Sequence, residues 1–276
     1  MNKNYKLCDM HIHSQSSHDS EAKTADIANA ACGKEISAIA ITDHCDIQYF
    51  VERDMPGCIS ASISETEQTA KAFGGKTEIL KGVELGEGLW NEQYAKEIIN
   101  LTDFDVIIGS VHAVRFGNTD IPYSLINFAE MAAEELDGYL NTYFDDVFKM
   151  VNQGLYDIMA HLTCPLRYIN GKYKCGVTSA RYEEKINAIL EYIIKNSIAM
   201  EINTSGICTE FNSFMPDEWI IKRFKELGGY LVTLGSDAHI PQNVGKGFDR
   251  AIETLKKYGY EKYFYYKNRK STECKI

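Results

Sequence analysis

The stretch Lys6-Leu-Cys-Asp-Met-His-Ile-His13 decides the fold class, because it is a short apolar run that ends in two histidines. Similar runs rich in Ile, Val and Leu recur along the chain, separated by longer segments with helical spacing. These later runs are Ser37 to Thr42, Glu78 to Glu84, Val106 to His112, Tyr156 to His161, Ile198 to Asn203 and Tyr230 to Ser236. Such alternation is typical of βα units around a parallel sheet. The pattern predicts an α/β protein with seven parallel strands.

The segments between these runs have helix-forming composition. The predicted helices are Thr24 to Ala31, Glu65 to Phe73, Gln93 to Asn100, Glu130 to Asn152, Arg181 to Lys195, Asp217 to Leu227 and Asp249 to Tyr258. Gly33 is placed to end the first helix in the left-handed conformation that glycine adopts at low cost. The last segment, Tyr260 to Ile276, is predicted to form a final strand and a solvated tail that close a barrel. Because this segment is basic and aromatic, it could instead bind an anion.

The length and composition favour one folded unit. With 276 residues, 45% hydrophobic and 25% charged, the chain can bury a closed core, which excludes a disordered chain or a disulfide-stapled miniprotein. The length fits one large barrel or two small domains. Because no linker rich in Gly, Ser or Pro divides the chain, we expect residues 1–276 to form a single domain.

Charge and cysteine content limit the partners and the compartment. The net charge of -10 argues against a general nucleic-acid or anionic-membrane surface, which needs a basic face. An acidic enzyme acting on an anion must then carry local positive charge. Eight scattered cysteines without a Cys-x-x-Cys pair are typical of a reducing compartment. With no apolar signal region and no membrane span, we expect a cytoplasmic protein; its oligomeric state is not predicted.

Histidines mark the ends of the predicted strands. Those at or just after a strand end are His11, His13, His44, His112, His161 and His239. The third strand ends instead in Glu84. In a parallel barrel all the C-terminal strand ends open onto one face, where active sites are assembled. Alternation along an extended strand would aim His11 and His13 into one mouth, and we expect Asp237 and His239 to repeat this geometry.

These side chains predict a metal centre. Neutral imidazole and carboxylate suit zinc, iron or manganese, and a cation offsets the cost of grouping titratable residues in one pocket. The candidate ligands are His11, His13, Asp19, His44, Glu84, His112, His161, Asp237 and His239. They exceed the four ligands of one tetrahedral ion, so two or three divalent ions are implied, with Glu84 as a natural bridging carboxylate. His18 could replace Asp19 as a ligand, although we favour the interpretation that His18 is an exposed loop residue. Cys45 could ligate as a thiolate, although we favour an ordinary buried thiol.

Seven sequence pieces follow one another along nearly the whole chain. They are Asp9-Met-His-Ile-His13 with Ser17 and Asp19, Ile41-Thr-Asp-His44, Gly82-Val-Glu84, Gly109-Ser-Val-His112, Ala160-His161, Glu201-Ile-Asn203 and Gly235-Ser-Asp-Ala-His239. In these pieces the chain resembles the PHP (polymerase and histidinol phosphatase) superfamily of metal-dependent phosphoesterases. The resemblance implies a distorted (β/α)7 TIM-like barrel with a trinuclear metal cluster. In some relatives a histidine takes the position of Asp19. The ending Phe264 to Lys270 looks like the stand-alone histidinol-phosphate phosphatase branch, which implies hydrolysis of L-histidinol phosphate to L-histidinol and phosphate in histidine biosynthesis.

Water is the expected nucleophile, because the chain has no Gly-x-Ser-x-Gly elbow, no cysteine-based phosphatase loop and no Walker sequence. Two metal ions can share a water, lower its pKa and present a bridging hydroxide to the phosphorus. Arg115 and Arg167, on loops after the fourth and fifth strands, are predicted to bind the phosphate. Asp237 or His239 could protonate the leaving oxygen, and Glu84 would hold the ions.

The sequence indicates the type of reaction more clearly than it indicates the substrate. Tyr49, Phe50 or Trp90 could form a wall for a histidinol group, and Glu87 or Glu92 could pair with its ammonium. We favour the interpretation that the aromatic residues pack in the core or in a lid. We also favour the interpretation that the two acids are solvated loop charges. A PHP phosphoesterase for another small phosphomonoester or nucleotide is the alternative function, because a fold and its metals do not fix specificity. A module that binds a nucleic-acid end is disfavoured by the acidic charge.

Overall fold

Seven parallel strands form the main sheet, and their order in space follows the chain. The computed structural model describes residues 6–276. The strands of the protein are β1 (Leu7–Ile12), β2 (Ile36–Ile41), β3 (His44–Asp46), β4 (Glu78–Gly86), β5 (Val106–Ser110), β6 (Ile158–Met159), β7 (Ala199–Asn203), β8 (Val232–Gly235), β9 (Lys262–Lys267) and β10 (Lys270–Lys275). The sheet order is β1-β2-β4-β5-β6-β7-β8, and the short β3 adds to β4 where β2 has ended.

The sheet curls until its first and last strands meet. Ile12 forms a parallel bridge with Ala238, just beyond β8. The His13 amide donates to the Ala238 carbonyl over 3.0 Å, and the Asp237 amide donates to the His11 carbonyl over 2.8 Å. The expected distorted (β/α)7 TIM-like barrel is therefore confirmed, and it is nearly closed. The contacts that close it lie at the C-terminal ends of the strands.

Helices connect the strands and cover the barrel. They are α1 (Thr24–Gly33), α2 (Met55–Ala72), α3 (Glu92–Ile99), α4 (Ala133–Val151), α5 (Cys164–Leu166), α6 (Glu183–Asn196), α7 (Glu218–Glu226) and α8 (Phe248–Lys257). On α8, buried Phe248, Ala251, Ile252 and Leu255 follow the helical period and belong to the hydrophobic core. The strands read as nearly continuous apolar runs because both of their faces are buried. Among residues 6–276, no helix combines the length and apolar character needed to cross a membrane.

Most predicted helix boundaries lie within about three residues of the observed ones, and two predictions differ more. α2 begins at Met55 rather than Glu65, because the Asp54 carboxylate caps it by accepting from the Gly57 amide over 3.4 Å. The prediction that Gly33 stops α1 in a left-handed conformation is wrong. Gly33 is the last helical residue, and the left-handed residue is Glu35, with φ of 57°.

The C-terminal segment forms a hairpin rather than one strand and a solvated tail. β9 and β10 pair antiparallel. The Arg269 amide at the hairpin turn donates to the Asp105 carbonyl over 2.9 Å. Ion pairs of Lys267 with Glu78 and of Arg269 with Asp157 tie the turn to residues at the starts of β4 and β6. The hairpin therefore covers the N-terminal ends of the strands, opposite the predicted metal centre, and its Tyr263, Tyr265 and Tyr266 are buried. That residues 1–276 form one domain stays a prediction.

Candidate metal centre

The predicted ligands meet at the C-terminal mouth of the barrel. Four overlapping groups of three side chains bring their ligand atoms within 4.8 Å of one another. The groups are His13-His44-His239, His11-His13-Asp237, His11-Glu84-His161 and His44-Asp46-His112. Of the predicted ligands only Asp19 is outside these groups. Its Oδ2 nevertheless lies 3.1 Å from His239 Nε2 and 3.6 Å from His44 Nε2, at the exposed rim.

Glu84 occupies the middle of the centre and is fully buried. Its Oε1 lies 2.9 Å from His161 Nε2 and 3.1 Å from His112 Nε2. Its Oε2 lies 2.8 Å from His44 Nδ1 and 3.3 Å from His11 Nε2. The two oxygens of one carboxylate thus face different imidazoles. This is the arrangement expected of a carboxylate that bridges two cations.

Unpartnered polar atoms test whether a metal ion fits here. His11 Nε2, His13 Nε2, His44 Nδ1 and Glu84 Oε2 are buried, and none makes a well-oriented hydrogen bond within residues 6–276, although His44 Nδ1 lies 2.8 Å from Glu84 Oε2. Leaving a buried polar group unsatisfied costs about 1–3 kcal/mol. A divalent cation would accept these lone pairs, and the mixture of imidazole and carboxylate suits zinc, iron or manganese. The residues present therefore fit a metal centre.

Burial and the neighbouring charges shift the pKa values of the histidines in the centre in different directions. Burial works against charge on His11, but the carboxylates of Glu201 and Glu84 outweigh it and raise its pKa well above the usual value. For His44, Glu84 and Asp19 likewise overcome burial and raise the pKa to about 10. Burial together with the neighbouring imidazoles lowers the pKa of His13 well below its usual value. His13 is therefore neutral at physiological pH, which is the form that ligates metals.

The backbone places Asp237 and His161 in unusual conformations. Asp237 has φ of 52°, in the left-handed region, and β8 ends before it at Gly235. Asp237 and His239 therefore do not reach the centre by alternating along an extended strand, and that prediction is wrong in its geometry. Asp237 Oδ1 lies 3.2 Å from His13 Nε2, so the carboxylate still reaches the ligand group. His161 has φ of 20°, just after β6.

The sequence patterns did not identify two carboxylates that contact the Nδ1 atoms of ligand histidines. Glu201 Oε1 lies 2.7 Å from His11 Nδ1, and Asp46 Oδ1 lies 3.0 Å from His112 Nδ1. Both side chains are buried. Glu201 stands in a sequence piece shared with the PHP superfamily but was given no role there. Asp46 follows His44 by two residues, a spacing that repeats the one between His11 and His13.

A cavity of about 610 Å³ opens above the centre. Its lining contains three cationic side chains, from Arg53, Arg167 and Lys246, and the rim residue His18. The Arg167 guanidinium donates from Nη1 to Ser205 Oγ over 3.2 Å. An anion entering the cavity would therefore meet positive charge on several sides. His18 is exposed at this rim, as expected.

Several predicted substrate contacts lie elsewhere. Arg115 is exposed and does not line the cavity. Its guanidinium carbon lies 4.1 Å from the centre of the Trp90 ring, because the loop after β5 turns outward there. The structure therefore does not bring Arg115 to the centre, in contrast to Arg167. Of the three aromatic candidates, only Tyr49 lines the cavity, and the Phe50 ring stacks on Tyr94 with a centroid distance of 4.0 Å.

The acidic candidates for the substrate ammonium also lie outside the cavity lining. Glu87 is buried and accepts a hydrogen bond from the Ala113 amide over 3.0 Å. Burial raises the pKa of Glu87 to about 7. Glu92 pairs with Lys96 on the exposed face of α3. Cys45 is a fully buried free thiol.

Comparison with known proteins identifies the family. The model of the PHP domain matches residues 9–205. The chain belongs to the PHP domain family. This PHP protein is 27% identical over 256 residues to a probable histidinol-phosphatase of Thermotoga maritima, covering 92% of this chain and 94% of that one. It is 28% identical over 258 residues to a histidinol-phosphatase of Lactococcus lactis, covering 92% of each chain.

A solved structure resembles the PHP protein along nearly its whole length. It is histidinol phosphate phosphatase from Lactococcus lactis, complexed with zinc, L-histidinol and phosphate. The two share 25% sequence identity and a TM-score of 0.76, covering 97% of this chain and 99% of the other. A putative histidinol phosphatase from Listeria monocytogenes has the same fold, with a TM-score of 0.72.

Proposed function

We propose that this PHP protein is a metal-dependent phosphomonoesterase that hydrolyses L-histidinol phosphate to L-histidinol and phosphate. The observation that carries the proposal is Glu84, a fully buried carboxylate whose two oxygens face four imidazoles beneath an arginine-lined cavity. The names of the histidinol-phosphatase relatives support the choice of substrate. Hydrolysis of this ester would serve histidine biosynthesis.

The metal centre would hold two or three divalent ions, of zinc, iron or manganese. Their ligands would be His11, His13, Asp19, His44, Glu84, His112, His161, Asp237 and His239. Divalent ions at such a centre supply a water of lowered pKa and neutralise phosphate oxygens. The protein itself fixes the ligands on a rigid barrel and keeps their lone pairs directed at the mouth. Occupancy of the third position depends on Asp19, whose side chain is 42% exposed.

Arg167 would bind the phosphate, because its guanidinium lines the cavity beside Asp237 and can offer two parallel N–H donors. His239 would give the proton to the leaving oxygen, since it lines the cavity. Asp237 also lines the cavity, but the neighbouring His11 and His13 imidazoles overcome burial and hold its pKa well below the usual value, so it has no proton to give. The exposed Leu125 and Tyr49 would face the histidinol group.

A panel of phosphomonoesters tests the proposal. Protein loaded with zinc, manganese or iron should hydrolyse L-histidinol phosphate with kcat/KM at least about tenfold above that for p-nitrophenyl phosphate, glucose 6-phosphate and AMP. Equal rates on all of them would reject the histidinol substrate and favour the alternative, a phosphoesterase for another small phosphomonoester or nucleotide. No hydrolysis by fully loaded protein would reject the enzyme.

A cytoplasmic location belongs to the same proposal. It is supported by the cysteines, all of which are free thiols in the structure and suit a reducing compartment. The partner is a small phosphate ester rather than a nucleic acid or a membrane. Separation of cell fractions with an antibody to the protein would test the location, and recovery from the periplasm or the medium would reject it.

A further inference from the structure

Two histidines of the centre share one arrangement that the proposed reaction does not use directly. His11 Nε2 points to Glu84 Oε2 at 3.3 Å, and His11 Nδ1 points away to Glu201 Oε1 at 2.7 Å. His112 Nε2 points to Glu84 Oε1 at 3.1 Å, and His112 Nδ1 points away to Asp46 Oδ1 at 3.0 Å. Each ring therefore lies between the central carboxylate and an outer one.

We propose that Glu201 and Asp46 are positioning residues that hold His11 and His112 as Nδ1–H tautomers, so that both Nε2 lone pairs face the metal ions. An ionised carboxylate only accepts hydrogen bonds, and the hydrogen-bonded nitrogen of each ring is Nδ1, at 2.7 Å from Glu201 and 3.0 Å from Asp46, so Nδ1 carries the proton. The other ring nitrogen then has a free lone pair, and the outer carboxylate increases its basicity. The inference rests on the metal centre of the proposed function and not on its substrate.

Glycines keep the space for both outer carboxylates open. A Cβ on Gly235, the last residue of β8, would lie 2.0 Å from Glu201 Oε1 and 2.7 Å from His11 Cβ. A Cβ on Gly86, the last residue of β4, would lie 2.4 Å from Asp46 Oδ1. Neither glycine has a positive φ, so backbone conformation does not require it. The repeated combination of strand-end glycine, outer carboxylate and ligand histidine indicates that the space serves the pair.

Glu201 also joins a third ligand to this arrangement. Its Oε2 accepts from the His161 amide over 2.8 Å and from Asn203 Nδ2 over 3.3 Å. His161 is the ligand with the unusual φ of 20°, so the Glu201 carboxylate fixes the backbone where β6 ends. One buried side chain on β7 thus orients ligands from β1 and β6. Losing its charge should loosen two ligands of the centre at once.

Zinc affinity tests the inference without relying on activity. The protein is stripped of metal and titrated with zinc against a chromophoric chelator, as wild type and as Glu201→Gln, Asp46→Asn, Gly235→Ala and Gly86→Ala. We expect each variant to bind zinc about 10–100-fold more weakly. Glu201→Gln and Gly235→Ala break the same contact, so their effects should not add. The double variant should bind zinc about as tightly as the single variant with the lower zinc affinity. Gly33→Ala and Glu226→Gln are controls, because a Cβ on Gly33 meets nothing within 4 Å and Glu226 is a surface residue.

The histidine tautomers give a second readout. Long-range ¹H–¹⁵N spectra of the zinc-loaded wild type should show His11 and His112 protonated at Nδ1, with the His11 signal shifted or broadened in Glu201→Gln and Gly235→Ala. If Gly235→Ala fails to fold, Glu201→Gln decides, because glutamine keeps the side-chain size. Folded variants with wild-type zinc affinity, or rings protonated at Nε2, would overturn the positioning role. If the wild type bound no zinc, iron or manganese, the metal centre itself would be rejected together with this inference.

Discussion

Arg167 and Ser205 are in contact at the wall of the cavity, where Arg167 Nη1 donates to Ser205 Oγ over 3.2 Å. The same hydroxyl lies 3.1 Å from Asp237 Oδ2 and 2.8 Å from Asn203 Oδ1. A serine has one hydroxyl proton, so it can donate to only one of these two oxygens at a time. Through this one hydroxyl, Arg167 is held beside a predicted ligand of the metal centre.

We expect Arg167→Ala to lower kcat/KM for L-histidinol phosphate about 10–100-fold, mainly through KM, because charge-assisted hydrogen bonds contribute about 1.5–3 kcal/mol. Metal content should not change, since Arg167 donates and cannot ligate. Steady-state kinetics with elemental analysis of the same sample measures both quantities. Arg115→Ala is the matched control and should behave as wild type, because Arg115 stacks on Trp90 outside the cavity. An unaltered KM in Arg167→Ala would remove Arg167 from the site.

Glu84→Gln should reduce the metal content by about one ion per chain or more, because an amide cannot bridge two cations as a carboxylate does. Activity should fall in parallel, and added zinc should restore little of it. Elemental analysis after gel filtration measures the content. Glu92→Gln is the control, since Glu92 pairs with Lys96 on the exposed face of α3 and belongs to none of the ligand groups. A Glu84→Gln protein with full metal content would contradict the central role of this side chain.

Tyr263→Phe should destabilise the fold by about 1–3 kcal/mol, because it leaves a buried amide unsatisfied. The Tyr263 hydroxyl donates to the Lys6 carbonyl over 2.7 Å and accepts from the Cys8 amide over 2.9 Å. These bonds join the C-terminal hairpin to β1, far from the metal centre, so kcat should be unchanged. Urea unfolding gives the difference. Tyr230→Phe, at a residue 54% exposed, should have no comparable effect.

The hairpin also gives the protein a pH-dependent stability term. Burial raises the pKa of Asp157 above its usual value, while Arg269 opposes the rise. The folded state then binds the proton more tightly than the unfolded state. This contribution to stability is therefore present below the unfolded pKa, about 3.9, and is lost as pH rises through the folded pKa.

Arg269→Ala should raise the pKa of Asp157 further and enlarge this loss. The deficit of the variant in unfolding free energy should be larger at pH 7 than at pH 4. The difference should stay below about 1 kcal/mol, because the Arg269 side chain is 39% exposed and solvent screens the pair. Urea unfolding of wild type and variant at both pH values measures it. A deficit of equal size at both would contradict the assignment.

Much of the barrel could be predicted because its strands are buried on both faces. Residues such as those of β5 then form apolar runs that stand out from the helices, and the side chain that follows each run must lie at the mouth. β3 could not be recognised in this way, since three residues starting at His44 carry no periodic pattern. The sequence predicts a single strand in place of the hairpin because the second strand, Lys270–Lys275, is polar and mostly exposed.

The ligands were predictable, and their supports were not. His11 and Glu84 belong to chemical types that bind metal, and their positions at strand ends needed no knowledge of side-chain contacts. The role of Glu201 depends on a contact between β7 and β1 that is fixed only by the closed barrel. The prediction that Arg115 binds the phosphate was wrong because its distance from His112 in sequence does not give the direction in which the loop leaves the strand.

The seam between Ile12 and Ala238 has a consequence for how the protein matures. Asp237 comes from a late part of the chain, and it shares a ligand group with His11 and His13 only once this seam has formed. A growing polypeptide that ends before this point would offer only a partial set of donors and should exchange its ions readily. Tight retention of metal would then report that synthesis and folding of the barrel are complete.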